Sequence, residues 1–127
     1  MNMKDTTEQP INFSKVGNPD NLLINEPTLE LYPTLAVAIG INEAIVLAKL
    51  DRLLQTSAIS MEGHNWCKQS YQHWHAHFPF WSTKTIERTI KKLEKNGYII
   101  SRTKFNNTLN DKIKWYRIDY GKTEQLI

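Results

Sequence analysis

The chain has 127 residues, 40% of them hydrophobic, with one cysteine and a formal charge of +3. That length suits one domain with a tail, and a lone cysteine excludes an internal disulfide framework and fits a reducing cytoplasm. No run approaches the roughly 18–20 apolar residues of a membrane span, and the opening MNMKDTTEQP lacks the apolar centre of a signal peptide, so a cytoplasmic protein without a membrane partner is expected.

Residues 1–27 are polar, rich in asparagine and proline, and have no sustained period; they read as a disordered tail. Lys4 and Lys15 against Asp5, Glu8, Asp20 and Glu26 argue against a minor-groove arm. Thr28 to Tyr32 alternates like a short strand. Pro33-Thr34 then opens a short apolar turn or helix that Gly40 ends. Asn42 is the expected N-cap of the next helix, with Ile41 and Val46 as a hydrophobic staple. Leu47, Leu50, Leu53 and Leu54 give it an apolar face, and Glu43, Lys49, Asp51 and Arg52 a wet one, as far as Gln55 or Thr56. The leucines span barely two heptads, so burial within the domain explains them better than a dimer seam.

Ser57 to Asn65, with Gly63, reads as a loop, and Asn65-Trp66-Cys67 as a short strand. Ser70 caps a two-turn helix, Tyr71 to His77, with Tyr71, Trp74 and Phe78 turned inward. Phe78-Pro79-Phe80-Trp81 makes the turn into a second helix, capped by Ser82 and stopped at Asn96-Gly97. In that helix Ile86, Ile90 and Leu93 form one apolar stripe, and Lys84, Arg88, Lys91 and Lys95 fall nearly opposite. Tyr98-Ile99-Ile100 and Ile113 to Tyr120 are β-formers separated by the turn-rich run Phe105 to Asp111, which predicts a hairpin with a long loop.

The charge is unevenly placed. Residues 82–122 carry eleven basic and four acidic side chains, net +7, whereas residues 1–81 carry five basic and eight acidic, net −3. Such polarity is expected where one face meets a polyanion. A basic helix followed by a basic hairpin is the layout of a winged helix. The expected fold is therefore α+β, mainly α, a winged helix-turn-helix over residues 28–120 with a small antiparallel sheet and a tail at 121–127.

In that layout Ser82, Thr83, Thr85 and Arg88 reach base edges of double-stranded DNA from the helix start, while Lys84, Arg88 and Lys91 meet phosphates, and Lys92 is a further DNA-binding candidate. Arg102, Lys104, Lys112 and Lys114 flank the wing and hold the backbone. Asn106 and Asn107 are either minor-groove probes or loop formers, and Lys95 suits the helix C-terminus, where the dipole favours a cation. His73 and His77 share a helical face, but no second ligand pair at a metal spacing accompanies them or His64, His75 and Cys67, so no metal or other cofactor is expected. Trp66, Trp74, Trp81 and Trp115 fit core and turn packing, with Trp115 the candidate for stacking on single-stranded bases. No glycine-rich phosphate loop and no GxSxG occurs, and an enzyme is not expected.

IGINEAIVLAKL, then NWCKQSYQHWHAHFPFWSTKTIERTIKKLEKNGYII, then KWYRIDY, resemble the N-terminal winged-helix domain of phage and plasmid replication initiation proteins, the replisome organisers and DnaD-like initiators of Gram-positive bacteria. The likeness runs from about Leu29 to Tyr120; Cys67 and Lys68 depart from it. It implies DNA binding in replication initiation, with helicase-loading or other replisome proteins, or a second protomer, as further partners. A transcriptional regulator of the same fold, or an assembly module without DNA, are the rival expectations. Such proteins usually continue into a second domain, whereas this sequence stops at Gln125-Leu126-Ile127, as a stand-alone domain, a fragment or a shortened relative would.

Overall fold

A computed structural model describes residues 24–127, so most of the expected tail lies outside the described residues. Thr28 to Tyr32 is not a strand: its alternation has no ladder to join, and instead Leu29 packs on the core while Glu30 accepts from Arg52 at 2.6 Å. Helix α1 (Pro33–Ile39) follows, with proline at its start, where a missing N–H costs nothing.

Gly40 then serves two helices at once. Its N–H donates to Ala36 O at 2.9 Å, closing α1, and its carbonyl accepts from Ala44 N at 2.9 Å, opening α2 (Ile41–Thr56). Its φ of +108° is open to glycine and strained for other residues. This corrects the expected cap: Asn42 lies inside α2, and no side chain caps that helix.

The expected loop at 57–65 is a second hairpin. Strand β1 (Ile59–Met61) pairs antiparallel with β2 (His64–Gln69), Met61 opposite His64. Glu62 and Gly63 between them both have positive φ, 53° and 79°, the pattern of a two-residue turn whose twist matches the strands. Helix α3 (Tyr71–His77) begins with a reciprocal cap: Ser70 Oγ accepts from His73 N at 3.1 Å, and His73 Nδ1 accepts from Ser70 N at 3.2 Å.

Helix α4 (Thr83–Lys95) starts at Ser82, whose Oγ accepts from Thr85 N at 3.1 Å. It ends where Gly97, at φ +81°, lets Gly97 N reach Glu94 O and Tyr98 N reach Leu93 O, each at 3.1 Å. Those two bonds satisfy carbonyls that a helix end otherwise leaves open. The chain goes straight into β3 (Ile99–Arg102), which pairs antiparallel with β4 (Lys114–Ile118), and β4 pairs in turn with β2, Cys67 opposite Tyr116. The strand expected at 65–67 thus joins the hairpin, and the sheet order is β1-β2-β4-β3. Asp119 caps a short α5 (Tyr120–Glu124), so residues 121–127 are partly helical, and Tyr120 Oη donates to Asp51 at 2.6 Å.

Among the described residues the protein is therefore α+β, five helices and one small antiparallel sheet. None of those helices is long and apolar enough to cross a membrane. The core joins Val46, Leu47, Leu50 and Leu54 of α2, Trp74 and Phe78, Ile86, Ile90 and Leu93 of α4, and Cys67, Ile99, Tyr116 and Ile118 of the sheet. Trp74 stacks on Phe78, and Phe78 meets Trp81 at 5.0 Å between ring centres, which fixes the turn between α3 and α4.

Candidate nucleic-acid interface

Ile86, Ile90 and Leu93 are buried to within 1% of their surface, and this orients the rest of α4. Lys84, Arg88, Lys91 and Lys95 lie on the opposite, exposed face, at spacings of four, three and four residues. Successive members of this file are about 40–60° apart around the axis at 100° per residue. Among the described residues none of the four has an ion-pair partner. Thr83 is exposed beside them in the first turn, while Ser82 and Thr85 spend their hydroxyls on each other, Ser82 Oγ donating to Thr85 Oγ1 at 3.0 Å. Thr89, on the buried side, returns its hydroxyl to Thr85 O at 2.7 Å.

The remaining sequence candidates divide. Lys92 stands on the flank of α4 and reaches Glu43 of α2 at 3.6 Å. Lys114 Nζ is 3.0 Å from Glu94 Oε2, with only 18% of the Glu94 side chain exposed, and Ser101 Oγ also donates to Glu94. Lys114 therefore ties the hairpin to α4 instead of facing outward. Lys104 reaches Glu62 in the β1–β2 turn at 2.8 Å. Arg102, which donates to Ser101 O at 2.7 Å, and Lys112 stay exposed and unpaired by any acid among the described residues.

The β3–β4 loop owes this arrangement to aromatic packing. Trp66, Trp115 and Arg117 alternate with buried Cys67 and Tyr116 and so occupy the other face of the sheet. Phe105 covers that face, 5.0 Å from Trp66 and 6.4 Å from Trp115 between ring centres. Asn106 holds the loop: its Nδ2 donates to Asp111 O at 2.9 Å and Ile113 O at 2.8 Å, and its Oδ1 accepts from Trp115 Nε1 at 2.8 Å. Asn106 is thus a loop former with nothing left for a base, whereas Asn107 is exposed. Trp115 is half-buried and engaged, not an open stacking platform.

Lys68 has a structural role at the sheet. Its ammonium donates to Asp111 at 2.8 Å and lies 5.7 Å over the Trp115 ring. With the Lys68 hydrogen bond as the larger cause and the Ile113 N–H as the next, the Asp111 carboxyl is held below its ordinary range.

The histidines have structural work. His73 completes the α3 cap, and His75 Nε2 lies 3.1 Å from Trp81 O across the turn. Burial, then Lys49 and His73, keep His77 below its ordinary pKa, so the neutral ring is favoured against Trp74. Among the described residues no group of histidine, cysteine and acid side chains is placed to hold a metal ion. Cys67 is buried and its thiol is pushed up, the reverse of what a nucleophilic thiolate needs.

Sequence reading missed the pairing partners Glu43, Glu62 and Glu94. Only Glu94 left a signal, as one of two acids, with Glu87, on a helix rich in lysine and arginine. No protein-family model, curated protein or solved structure matches this chain.

Proposed function

We propose that the protein is a winged-helix DNA-binding protein that grips duplex DNA through α4, in the service of phage or plasmid replication initiation. The observation that carries this reading is the file Lys84, Arg88, Lys91 and Lys95, exposed and without acid partners among the described residues, while Lys68, Lys92, Lys104 and Lys114 are each matched with an acid. Of the nine basic side chains without an acid partner among the described residues, these four stand together on one exposed helix face, as the electrostatic footprint of a polyanion site requires.

The order of elements supports the fold-level part: two helices joined by a short turn, the second leading directly into a hairpin whose second strand pairs with an earlier one. In this reading α4 enters the major groove with Thr83 and Arg88 toward base edges, and Arg102 and Lys112 of the wing lie on the adjoining backbone. The replication role rests on the sequence resemblance alone.

Selection of bound fragments from random duplexes tests the reading. A defined site should emerge, and Arg88→Ala should relax preference at one or two of its positions, by about 1–3 kcal/mol for a lost bidentate contact to guanine. Enrichment of no sequence, with Arg88→Ala indistinguishable from the parent, would overturn it.

A further inference from the structure

A cleft of about 510 Å³ lies between the start of α1, the middle of α2 and the C-terminal end of the chain, away from α4 and the β3–β4 loop. Tyr32, Leu35, Leu47, Ile118, Tyr120 and Ile127 make its walls mostly apolar. Its size is that of pockets which enclose most of a small ligand or a few anchoring side chains. The charged side chains that line it are both acids, Asp51 and Glu124, although the chain as a whole is basic. Asp51 already accepts from Tyr120 Oη and from Gln55, and Glu124 is exposed with no ion-pair partner among the described residues.

Helix α1 adds a second reason to expect a cover. Its seven residues, PTLAVAI, include no charge, yet none is buried, and Val37 is 90% exposed. Ile41, at the next turn of the path, is 61% exposed. An apolar surface of this kind next to a cleft marks an interaction site more often than a stray exposed side chain does.

We infer that this cleft takes an amphipathic helix of a partner protein, its aliphatic side chains entering between α1, α2 and α5 and a lysine or arginine settling against Glu124 and Asp51. Helix-in-groove recognition uses anchors at i, i+3 or i+4 and i+7, and an acidic rim selects a basic helix over an acidic one by complementarity. No lining residue belongs to α4, so the partner and a duplex could be held together, and the inference stands whether or not the chain binds DNA.

Two synthetic helical peptides with the same leucine face, one with lysine and one with glutamate on the polar face, test it by amide chemical-shift mapping on the full chain. The lysine peptide should shift residues around Leu35, Ala48, Ile118 and Tyr120, and bind about tenfold or more tightly than the glutamate peptide. Glu124→Lys, on an exposed position, should remove that preference, and Thr34→Trp, which plugs the mouth, should weaken both peptides without lowering the melting temperature. Equal binding of the two peptides, shifts elsewhere, or no binding would each overturn the proposal. So would a dimer in sedimentation that covers the cleft with a second copy.

Discussion

Lys112 and Lys114 are two residues apart in the same hairpin, and their surroundings differ. Lys112 is exposed and meets no acid among the described residues, whereas Lys114 is fixed at 3.0 Å to the half-buried Glu94. Lys112→Ala should therefore leave folding unchanged and remove one phosphate contact. A contact to B-DNA contributes about 0.9 to the log–log salt slope, so the slope should flatten by about 0.9. The same release weakens binding about fivefold at 0.15 M salt. Lys114→Ala should do the reverse. Losing the pair leaves Glu94 with the Ser101 hydroxyl alone, which costs about 1–2 kcal/mol of stability for a partly buried pair. That is a fall of roughly 4–8 °C in Tm for each kcal/mol in a domain of this size. The slope should stay within about 0.3 of the parent, on the same counting. Duplex titrations at four salt concentrations and a thermal melt on each variant read both quantities. A flattened slope with an unchanged melt for Lys114→Ala would refute the division of labour, as would an unchanged slope for Lys112→Ala.

Three further outcomes follow from the packing. Asn106→Ala removes three hydrogen bonds and leaves Trp115 Nε1 without its partner, so urea unfolding should show a loss of about 2–3 kcal/mol; a loss under about 0.5 kcal/mol would mean that the loop is held by other contacts. Ser82→Ala deletes the α4 cap and should cost about 1 kcal/mol, with Ser82→Gly milder; equal and negligible effects would place the cap outside the folded energetics. Desolvation is the first cause raising the ionisation of Tyr71, Tyr116 and Tyr120 above the ordinary value. A raised folded-state pKa means that the unfolded chain releases its protons first. Stability is therefore intact below pH 10 and falls above it, by up to about 1.4 kcal/mol per pH unit for each such tyrosine. Absorbance titration of the phenolates at about pH 11.5, where an unshifted tyrosine is almost wholly ionised, should show fewer than all five tyrosines ionised before unfolding; complete ionisation there with the fold intact would contradict it.

Much of the fold was legible because strong local signals agreed with burial. Ser82, the Ile86–Ile90–Leu93 stripe and Asn96-Gly97 bounded α4 correctly, and Ser70 did the same for α3. Errors arose where tertiary context decided. Asn42 is a good cap by type, but Gly40 reached an unusual backbone conformation first and supplied the carbonyl. The β1–β2 hairpin escaped notice because β1 is three residues long and its turn is Glu-Gly, a weaker signal than Asn-Gly. Thr28 to Tyr32 has strand alternation without a neighbouring strand. The cationic file of α4 could be read from spacing alone. The neutralisation of Lys104 by Glu62, 42 residues away in the chain, and of Lys68 by Asp111, 43 away, could not.

The most direct measurement is the salt dependence of duplex binding by the unaltered chain. Among the described residues, Lys84, Arg88, Lys91, Lys95, Arg102 and Lys112 are the exposed cations of α4 and the β3–β4 hairpin that have no acid partner and are candidates for the duplex. If four to six of them meet phosphates, log K against log salt should be linear with a slope of about −4 to −5. A slope near zero, or no duplex binding at low salt, would contradict the claim that α4 is a DNA-contacting face.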